Sequence, residues 1–228
     1  MTPVLGIRAL RIRAGADPES SCQLEIPELA MHRGSCLAIH GPSGCGKSTF
    51  LEVLALFRRP EAAELFQLCP SADRDPFDLN DPADWTHLRQ GPIGYVPQTG
   101  GVLPFLTARQ HIEAALHLAA LTGSREAAAR LERFAQALGL SQHLRKRRSE
   151  LSGGQRKRVA LLAGLSIPRA LLVVDEPTAG LDAQNASRVM RTLVTVARDE
   201  STAVIIATHD VAAARQAGFD VAAIEQER

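Results

Sequence analysis

The order of apolar and polar residues predicts strands and one helix near the start of the chain. Leu5 to Arg13 alternates apolar and basic residues, and Cys22 to Ile26 continues the alternation after a turn-rich Gly-Ala-Asp-Pro stretch. This period of two is typical of strands with one exposed face, so a small antiparallel sheet is expected. Cys36 to Ile39 predicts a short buried strand, and Lys47 to Phe57 predicts a helix with an apolar inner face.

The middle of the chain is predicted to be irregular and then helical. The segment from Pro70 to Pro92 is rich in Pro and Asp, which are typical of loops, and a short strand from Ile93 to Val96 follows it. From Thr107 to about Gly164, Ala and Leu recur at helical spacing. The glycines at positions 123 and 139 predict breaks in this helical region.

Strands and helices alternate in the last part of the chain. Ala170 to Val174 and Ala203 to Ala207 are continuous apolar runs, as in strands buried on both faces, and Asp220 to Ile224 predicts a last strand. Ala183 to Arg198 has the amphipathic pattern of a helix. This alternation predicts a parallel sheet in an α/β fold.

Length and composition fit one globular domain. The chain has 228 residues, of which 45% are hydrophobic and 22% are charged, and its formal net charge is +1. We expect a single domain, 1–228, in which a core formed by 1–97 and 160–228 carries a helical subdomain at about 98–159. The near-neutral charge gives no reason to expect nucleic acid as a partner.

The cysteines and the apolar runs predict the cellular compartment. Because the cysteines are scattered without a CxxC pair, we expect reduced thiols in a cytosolic protein rather than a zinc site or disulfides. No signal-peptide pattern is visible, and the longest apolar runs are far shorter than the roughly 18 residues of a membrane span. The sequence therefore predicts a chain that neither crosses a membrane nor is exported. The four cysteines are Cys22, Cys36, Cys45 and Cys69.

A glycine-rich segment between a predicted strand and a predicted helix matches the phosphate-loop pattern GxxxxGK[ST]. In this pattern, backbone N–H groups converge on phosphate oxygens, Lys47 supplies positive charge to the β- and γ-phosphates, and the Ser48 hydroxyl can bind Mg²⁺. A plain glycine-rich turn is the alternative, and the position between strand and helix disfavours it. The predicted nucleotide-binding residues are Gly41, Pro42, Ser43, Gly44, Cys45, Gly46, Lys47, Ser48 and Thr49.

Two adjacent carboxylates follow the predicted strand from Ala170 to Val174. Asp175 lies at the carboxyl end of this strand, where α/β sheets present ligands, and is expected to hold Mg²⁺ with Ser48. Glu176 is the candidate that orients or deprotonates the attacking water. Ordinary helix caps are the alternative, and the phosphate loop in the same chain favours the catalytic interpretation.

A third motif, Leu151-Ser152-Gly153-Gly154-Gln155, narrows the class of nucleotide-binding protein. Ser-Gly-Gly followed by basic residues and an apolar face predicts a helix N-terminus, which favours an anion, although a simple capped helix is the alternative. The segment is identical to the LSGGQ signature of the ABC ATPase family, and the sequence resembles that family over nearly its entire length. Gln98, Ala179-Gly180-Leu181-Asp182 and His209 follow the order of the other family motifs.

The resemblance implies a fold and an assembly. The family fold is a P-loop NTPase core, an ABC ATPase-type parallel sheet with an N-terminal antiparallel β-subdomain and an inserted helical subdomain. In the family, a homodimer holds two MgATP at its interface, and the signature of one subunit closes over the ATP of the other. The resemblance therefore assigns nucleotide contacts in trans to Ser152, Gly153, Gly154 and Gln155, and coupling between the two sites to Asp182.

The resemblance also implies roles at the γ-phosphate and a biological function. Gln98 corresponds to the residue that senses the γ-phosphate and Mg²⁺, and His209 to the switch histidine, so the implied catalytic set is Glu176, His209, Lys47 and Gln98. The implied function is that of an ATP-binding and ATP-hydrolysing subunit that powers transport. Its partners would be integral membrane permease subunits, which would hold the cytoplasmic chain peripherally at the cytoplasmic face of the inner membrane.

The segment after Gln98 bears on the type of transporter. In the family, the groove near Gln98 to Thr107 receives a short helix of a permease subunit. Gly100 to Ala108 resembles the same stretch in subunits of the lipoprotein-releasing and macrolide-export type, which suggests export; a loop that only packs the insertion against the core is the alternative. A non-transport ABC ATPase for DNA repair or translation is the alternative function, but the chain lacks the coiled-coil inserts and tandem cassettes of those proteins.

Two features invite other interpretations. Family members usually place an aromatic residue near the end of the first strand, where it stacks on adenine, whereas the first aromatic residue here is Phe50. Arg11 or Arg13 could stack in its place, or both could belong to a solvated strand face. The basic run from Arg145 to Arg148 is interpreted as a solvated segment rather than as a nucleic-acid site, because no aromatic residues are interleaved with it.

Overall fold

The fold consists of an antiparallel sheet, a parallel sheet and helices around them. The computed structural model describes residues 2–15, 22–71, 73 and 75–224. The strands are β1 (Leu5–Ala14), β2 (Cys22–Met31), β3 (Cys36–His40), β4 (Leu65–Leu68), β5 (Phe77–Asp78), β6 (Ile93–Val96), β7 (Leu171–Asp175), β8 (Ala203–Ala207) and β9 (Asp220–Ala223). The helices are α1 (Lys47–Leu54), α2 (Trp85–Gln90), α3 (Ala108–Leu118), α4 (Arg125–Ala137), α5 (Gly153–Leu165), α6 (Ala183–Glu200) and α7 (Val211–Ala217).

The antiparallel sheet has the strand order β2-β1-β4-β5, which confirms the sheet predicted near the start of the chain. Strands β1 and β2 pair from Leu5 opposite Met31 to Ala14 opposite Cys22. Arg11 lies opposite Glu25 in this register, so opposite charges face each other across the strands. The apolar residues of β1 point into the core, and through this face the sheet packs against the rest of the domain.

The parallel sheet has the order β6-β7-β8-β3-β9, and each of its neighbouring pairs is parallel. Strands β7 and β8 are buried along their whole length, which explains their continuous apolar sequences. Because parallel strands share one carboxyl edge, the segments that follow β3, β6, β7 and β8 all emerge on the same side of the sheet. This edge carries the candidate site.

Two apolar clusters hold the helices on the two faces of the parallel sheet. One cluster joins helices α3, α4 and α5 to α6 and to side chains of β7 and β8, with Phe134 and Leu162 fully enclosed. The other joins α1 and the antiparallel sheet to the opposite faces of the same strands, around Phe50 and Phe66. The helical insertion is therefore packed onto the core rather than separate from it.

Several element boundaries differ from those that the sequence predicts. Helix α1 ends at Leu54, before the predicted end at Phe57, because the backbone turns into the left-handed region at Leu56, where φ is 61°. The segment from Pro70 to Pro92, predicted to be irregular, contains β5 and α2 among its described residues. The sequence pattern also did not predict β4 or α7. Helix α5 runs continuously through the proposed boundary at position 160.

Candidate active site

The phosphate loop joins the end of β3 to the start of α1. Gly44 and Gly46 adopt left-handed backbone conformations, with φ of 81° and 95°. A Cβ at Gly46 would lie 2.9 Å from the Cβ of Ala14, and one at Gly41 would lie 2.6 Å from the carbonyl oxygen of Ile224. Glycine is therefore required by the close approach of β1 and of the segment after β9.

The ammonium group of Lys47 is held over the loop that precedes it. Its Nζ atom donates to the carbonyl oxygens of Gly41 and Pro42, at 2.9 and 2.8 Å, and the residue is 7% exposed. A loop that curls around a lysine at a helix N-terminus concentrates positive charge at one point. Such a point is suited to the phosphates of a nucleotide.

A cavity of about 420 Å³ lies in front of this loop. Its lining combines the loop with the segments that follow β1, β6, β7 and β8, as expected for the carboxyl edge of a parallel sheet. Most of the predicted phosphate-loop residues and the predicted Gln98, Asp175, Glu176 and His209 therefore share one site. The lining residues are Ala14, Gly15, Ser43, Gly44, Gly46, Lys47, Ser48, Thr49, Gln98, Asp175, Glu176 and His209.

Glu176 and His209 face each other in this cavity. Glu176 follows β7 with a φ of 48°, and its Oε1 atom lies 3.1 Å from Nε2 of His209, which follows β8. Burial raises the pKa of the Glu176 carboxyl, His209 lowers it in part, and Asp175 raises it further. A carboxylate with a raised pKa accepts a proton from water more readily, which is the property that a general base requires.

Oxygen donors suited to a magnesium ion line the same cavity. Ser48 contributes a hydroxyl, Asp175 a carboxylate and Gln98 an amide oxygen. Mg²⁺ prefers such oxygen ligands and is usually held by one or two protein groups together with substrate phosphates and water. Within the described ranges, no group of three or more His, Cys, Asp or Glu side chains could hold a metal.

The signature motif lies outside this cavity. Ser152 is the N-cap of α5: its Oγ atom accepts a hydrogen bond from the backbone N–H of Gln155 at 3.2 Å, and Oε1 of Gln155 accepts one from Ser152 N at 2.9 Å. This capping box confirms the predicted helix N-terminus. Asp182 caps α6 in a similar way. None of the described residues that line the cavity comes from 152–155 or is Asp182.

Comparison with known proteins identifies the family. The family model described as ABC transporter matches residues 24–179, which is more than half of the chain. The chain belongs to the ABC transporter family. Its membership confirms the predicted role as an ATP-hydrolysing subunit of an ABC transporter, and the predicted fold is confirmed as well.

Individual ABC proteins are similar over most of the chain. A lipoprotein-releasing system ATP-binding protein, LolD 2 of Caulobacter vibrioides, is 33% identical over 93% of this chain and 91% of its own length. The macrolide export ATP-binding/permease protein MacB of Marinobacter nauticus is 36% identical over 80% of this chain but only 27% of its own. The dimeric bacterial ABC transporter cassette MJ0796 covers 98% of this chain and 97% of its own, with 25% identity and a TM-score of 0.82.

The end of β1, where ABC subunits usually carry the adenine-stacking aromatic, presents small residues to the cavity. Ala14 and Gly15 line the cavity, and sequence reasoning did not predict either of them. Arg11 and Arg13 are exposed on the opposite face of β1 from Ala14, and Nε of Arg13 lies 2.7 Å from Glu61 Oε1. Neither arginine lines the cavity, and the positions of both fit a solvated strand face.

This small-residue end predicts weak discrimination between purine bases. Ala14 and Gly15 have no side-chain group that could form a hydrogen bond to one purine and not the other, so adenine and guanine are expected to gain similar contact energy there. We expect the kcat/KM values for ATP and GTP to lie within about tenfold of each other, because about 1.4 kcal/mol corresponds to tenfold. Steady-state hydrolysis rates with each nucleotide test this expectation, and a preference for ATP of more than a hundredfold contradicts it.

The thiol of Cys45 is buried, and Cys45 does not line the cavity. Cys45 is 1% exposed, and its Sγ atom would lie 2.9 Å from a Cβ at Gly41, on the inner side of the loop. Its predicted contact with nucleotide is therefore restricted to backbone atoms. Cys36 and Cys69 are also buried, while the side chain of Cys22 lies outside the described part of the chain.

Proposed function

We propose that two copies of this chain close head to tail around two ATP molecules and that hydrolysis drives an exporter of the lipoprotein-releasing or macrolide-export type. One observation carries the proposal: the signature helix presents its free N-terminus outside the cavity of its own chain. A helix N-terminus favours an anion. A second copy, turned head to tail, would supply Ser152 and Gly154 to the open side of the γ-phosphate.

The chemistry assigned to the cavity is attack of water on the γ-phosphate. Lys47 and the N-terminus of α1 bind the β- and γ-phosphates and stabilise the charge that develops on them. Glu176 orients the attacking water and accepts its proton, while His209 holds the Glu176 carboxylate in place and contacts the γ-phosphate. A bound Mg²⁺, held by Ser48, Asp175 and Gln98, would supply further positive charge at the phosphate oxygens.

The proposed membrane contact lies on the segment between β6 and α3. Leu103 is 41% exposed and Phe105 is 69% exposed, and both follow Gln98. Exposed large apolar side chains in one short segment are typical of a protein interaction site. We propose that a permease subunit binds to this segment. Gln98 would link that contact to the nucleotide. The segment belongs to the proposed helical subdomain at about 98–159.

The proposed location follows from this contact. Among the described residues, no helix has both the length and the apolar character needed to cross a membrane. We propose that protein contacts with permease subunits hold the chain peripherally, on the cytoplasmic face of the inner membrane. The similarity to LolD 2 and MacB, whose names describe lipoprotein release and macrolide export, supports export over DNA repair or translation.

Affinity purification from detergent-solubilised membranes tests this function. We expect integral membrane proteins to co-purify with the tagged chain and Phe105→Asp to reduce their yield at least about tenfold, because a buried charge at an interface costs several kcal/mol. Leu118→Asp is the matched control, since Leu118 is 67% exposed at the far end of α3 and should leave the yield unchanged. Co-purification of ribosomes or DNA instead of membrane proteins contradicts the proposal.

A further inference from the structure

A buried arginine joins the signature helix to the start of α6. Arg158 is 8% exposed and lies on α5, about one turn after Gly154. Its Nε atom donates to the carbonyl oxygen of Gly154 at 3.3 Å, and its Nη1 atom donates to the carbonyl oxygen of Leu138 at 2.9 Å and to Oδ1 of Asn185 at 2.7 Å. One guanidinium thus contacts the signature, the end of α4 and the first turn of α6.

Asn185 continues this chain of hydrogen bonds to Asp182. Its Nδ2 atom donates to Oδ2 of Asp182 at 2.6 Å, and its backbone N–H donates to Oδ1 of Asp182 at 2.9 Å. These two hydrogen bonds hold the pKa of Asp182 below its usual range. The orientation of the Asn185 amide is fixed from both sides, since its oxygen faces a cation and its nitrogen faces a carboxylate.

Only an amide satisfies both neighbours of position 185. An aspartate there would still accept from Arg158, but it would bring a carboxylate oxygen against the carboxylate of Asp182. The side chain of an alanine would contact neither group, although the backbone N–H of residue 185 would still donate to Asp182. Position 185 therefore requires a side chain with both a hydrogen-bond donor and an acceptor. This requirement is separate from helix capping, because Asp182 already caps α6.

Two further contacts bring the same two segments together. Nζ of Lys157 donates to the carbonyl oxygen of Ala179 at 2.7 Å, and a Cβ at Gly154 would lie 2.8 Å from Cδ2 of Leu181. The signature and the segment Ala179-Gly180-Leu181-Asp182 are thus packed against each other within one chain. Both are segments for which the proposed dimer requires contact with the other subunit.

We propose that Asn185 is a positioning residue that, through Arg158 on one side and Asp182 on the other, holds the signature and the Asp182 segment in one fixed relative orientation for docking on a second copy of this chain. The inference rests on the head-to-tail dimer proposed above. Its consequence is that loss of the amide slows hydrolysis by impairing dimer closure, while each chain still binds ATP in its own cavity.

The test uses Asn185→Asp and Asn185→Ala in the full chain, with Ser187→Ala as the matched control on the exposed side of α6. We expect both Asn185 variants to lower kcat about tenfold, the effect of about one hydrogen bond lost on forming a complex. The affinity of the isolated chain for a fluorescent ATP analogue should stay within about twofold of wild type, since Asn185 does not line the cavity. The control should leave both quantities unchanged.

Dimer formation provides the second measurement. In chains that also carry Glu176→Gln, the protein concentration at which ATP yields half dimer should rise about tenfold with either Asn185 variant. Wild-type kcat in Asn185→Asp overturns the inference, because Asn185 would then serve only as an acceptor for the buried Arg158. An equal loss of ATP affinity in the isolated chain overturns it too.

Two comparisons distinguish failure of the role of Asn185 from a folding defect and from failure of the proposed dimer. If Asn185→Ala does not fold, as judged by its melting temperature, Asn185→Asp decides the question alone, because it keeps a partner for Arg158. If the Glu176→Gln chain with Asn185 intact does not dimerise in ATP, the proposed function fails. If it does dimerise and the Asn185 variants dimerise equally well, only the role of Asn185 fails.

Discussion

Replacing Glu176 with glutamine is expected to lower the rate of ATP hydrolysis by about a hundred- to ten-thousandfold, the range for loss of a positioned general base. Glutamine keeps the shape of the side chain, so the contact with His209 and the cavity wall are preserved. It cannot accept a proton from the attacking water. Because Glu176 is not part of the phosphate loop, ATP binding should persist. The variant should therefore accumulate as an ATP-bound dimer.

Hydrolysis rates and size-exclusion chromatography in the presence of ATP measure the two effects. Glu126→Gln is a suitable control, because Glu126 is exposed on α4 and does not line the nucleotide cavity. It should hydrolyse ATP at the wild-type rate and should not accumulate as a dimer. A Glu176→Gln variant that retains more than about a tenth of the wild-type rate would remove Glu176 from the role of base.

Replacing Lys47 with methionine is expected to weaken ATP binding about ten- to a hundredfold. The ammonium group forms charge-assisted hydrogen bonds, each of which contributes about 1.5–3 kcal/mol, and methionine of similar length supplies none. The substitution also leaves the carbonyl oxygens of Gly41 and Pro42 without the donor that now holds them. The loop therefore loses both its charge and the group around which it is curled.

Isothermal titration with ATP measures the loss, and Lys157→Met is the matched control. Lys157 also donates its Nζ to a backbone carbonyl, that of Ala179, but it does not line the cavity. The control should bind ATP with wild-type affinity. If Lys47→Met binds ATP within about twofold of wild type, the cavity in front of the phosphate loop is not the principal phosphate site.

Local patterns predict the parts of the site that depend on neighbouring residues. The phosphate loop needs glycines at fixed offsets and a lysine at the helix start, and the carboxylates need only the end of a buried strand, so short segments define both. Strand alternation in β1 likewise predicts which of its residues are buried. The capping box at Ser152 follows from the residues at 152 and 155 alone.

Other features depend on residues far apart in the chain. The position of Ala14 at the cavity follows from its close approach to Gly46 of the phosphate loop, which no local pattern encodes. The hydrogen bond between Arg158 and Asn185 joins residues 27 positions apart and requires the packing of α5 against α6. Strand β4 is only four residues long, and its pairing with β1 decides its conformation.

A mixing experiment tests most directly whether the signature of one chain completes the site of the other. Lys47→Met disables the phosphate loop, and Ser152→Asp keeps the N-cap of α5 while it places a negative charge at the expected phosphate contact. Each variant alone should be nearly inactive. A head-to-tail dimer of the two contains one intact site, with the phosphate loop from the Ser152→Asp chain and the signature from the Lys47→Met chain.

Random pairing in an equimolar mixture makes about half of the dimers mixed, so hydrolysis should recover to about a quarter of the wild-type rate per chain. If the signature acted within its own chain, every site in the mixture would contain one defective motif, either the phosphate loop of the Lys47→Met chain or the signature of the Ser152→Asp chain. The absence of any recovery at all mixing ratios would therefore contradict the account, whereas recovery that peaks at the equimolar ratio is the result it predicts.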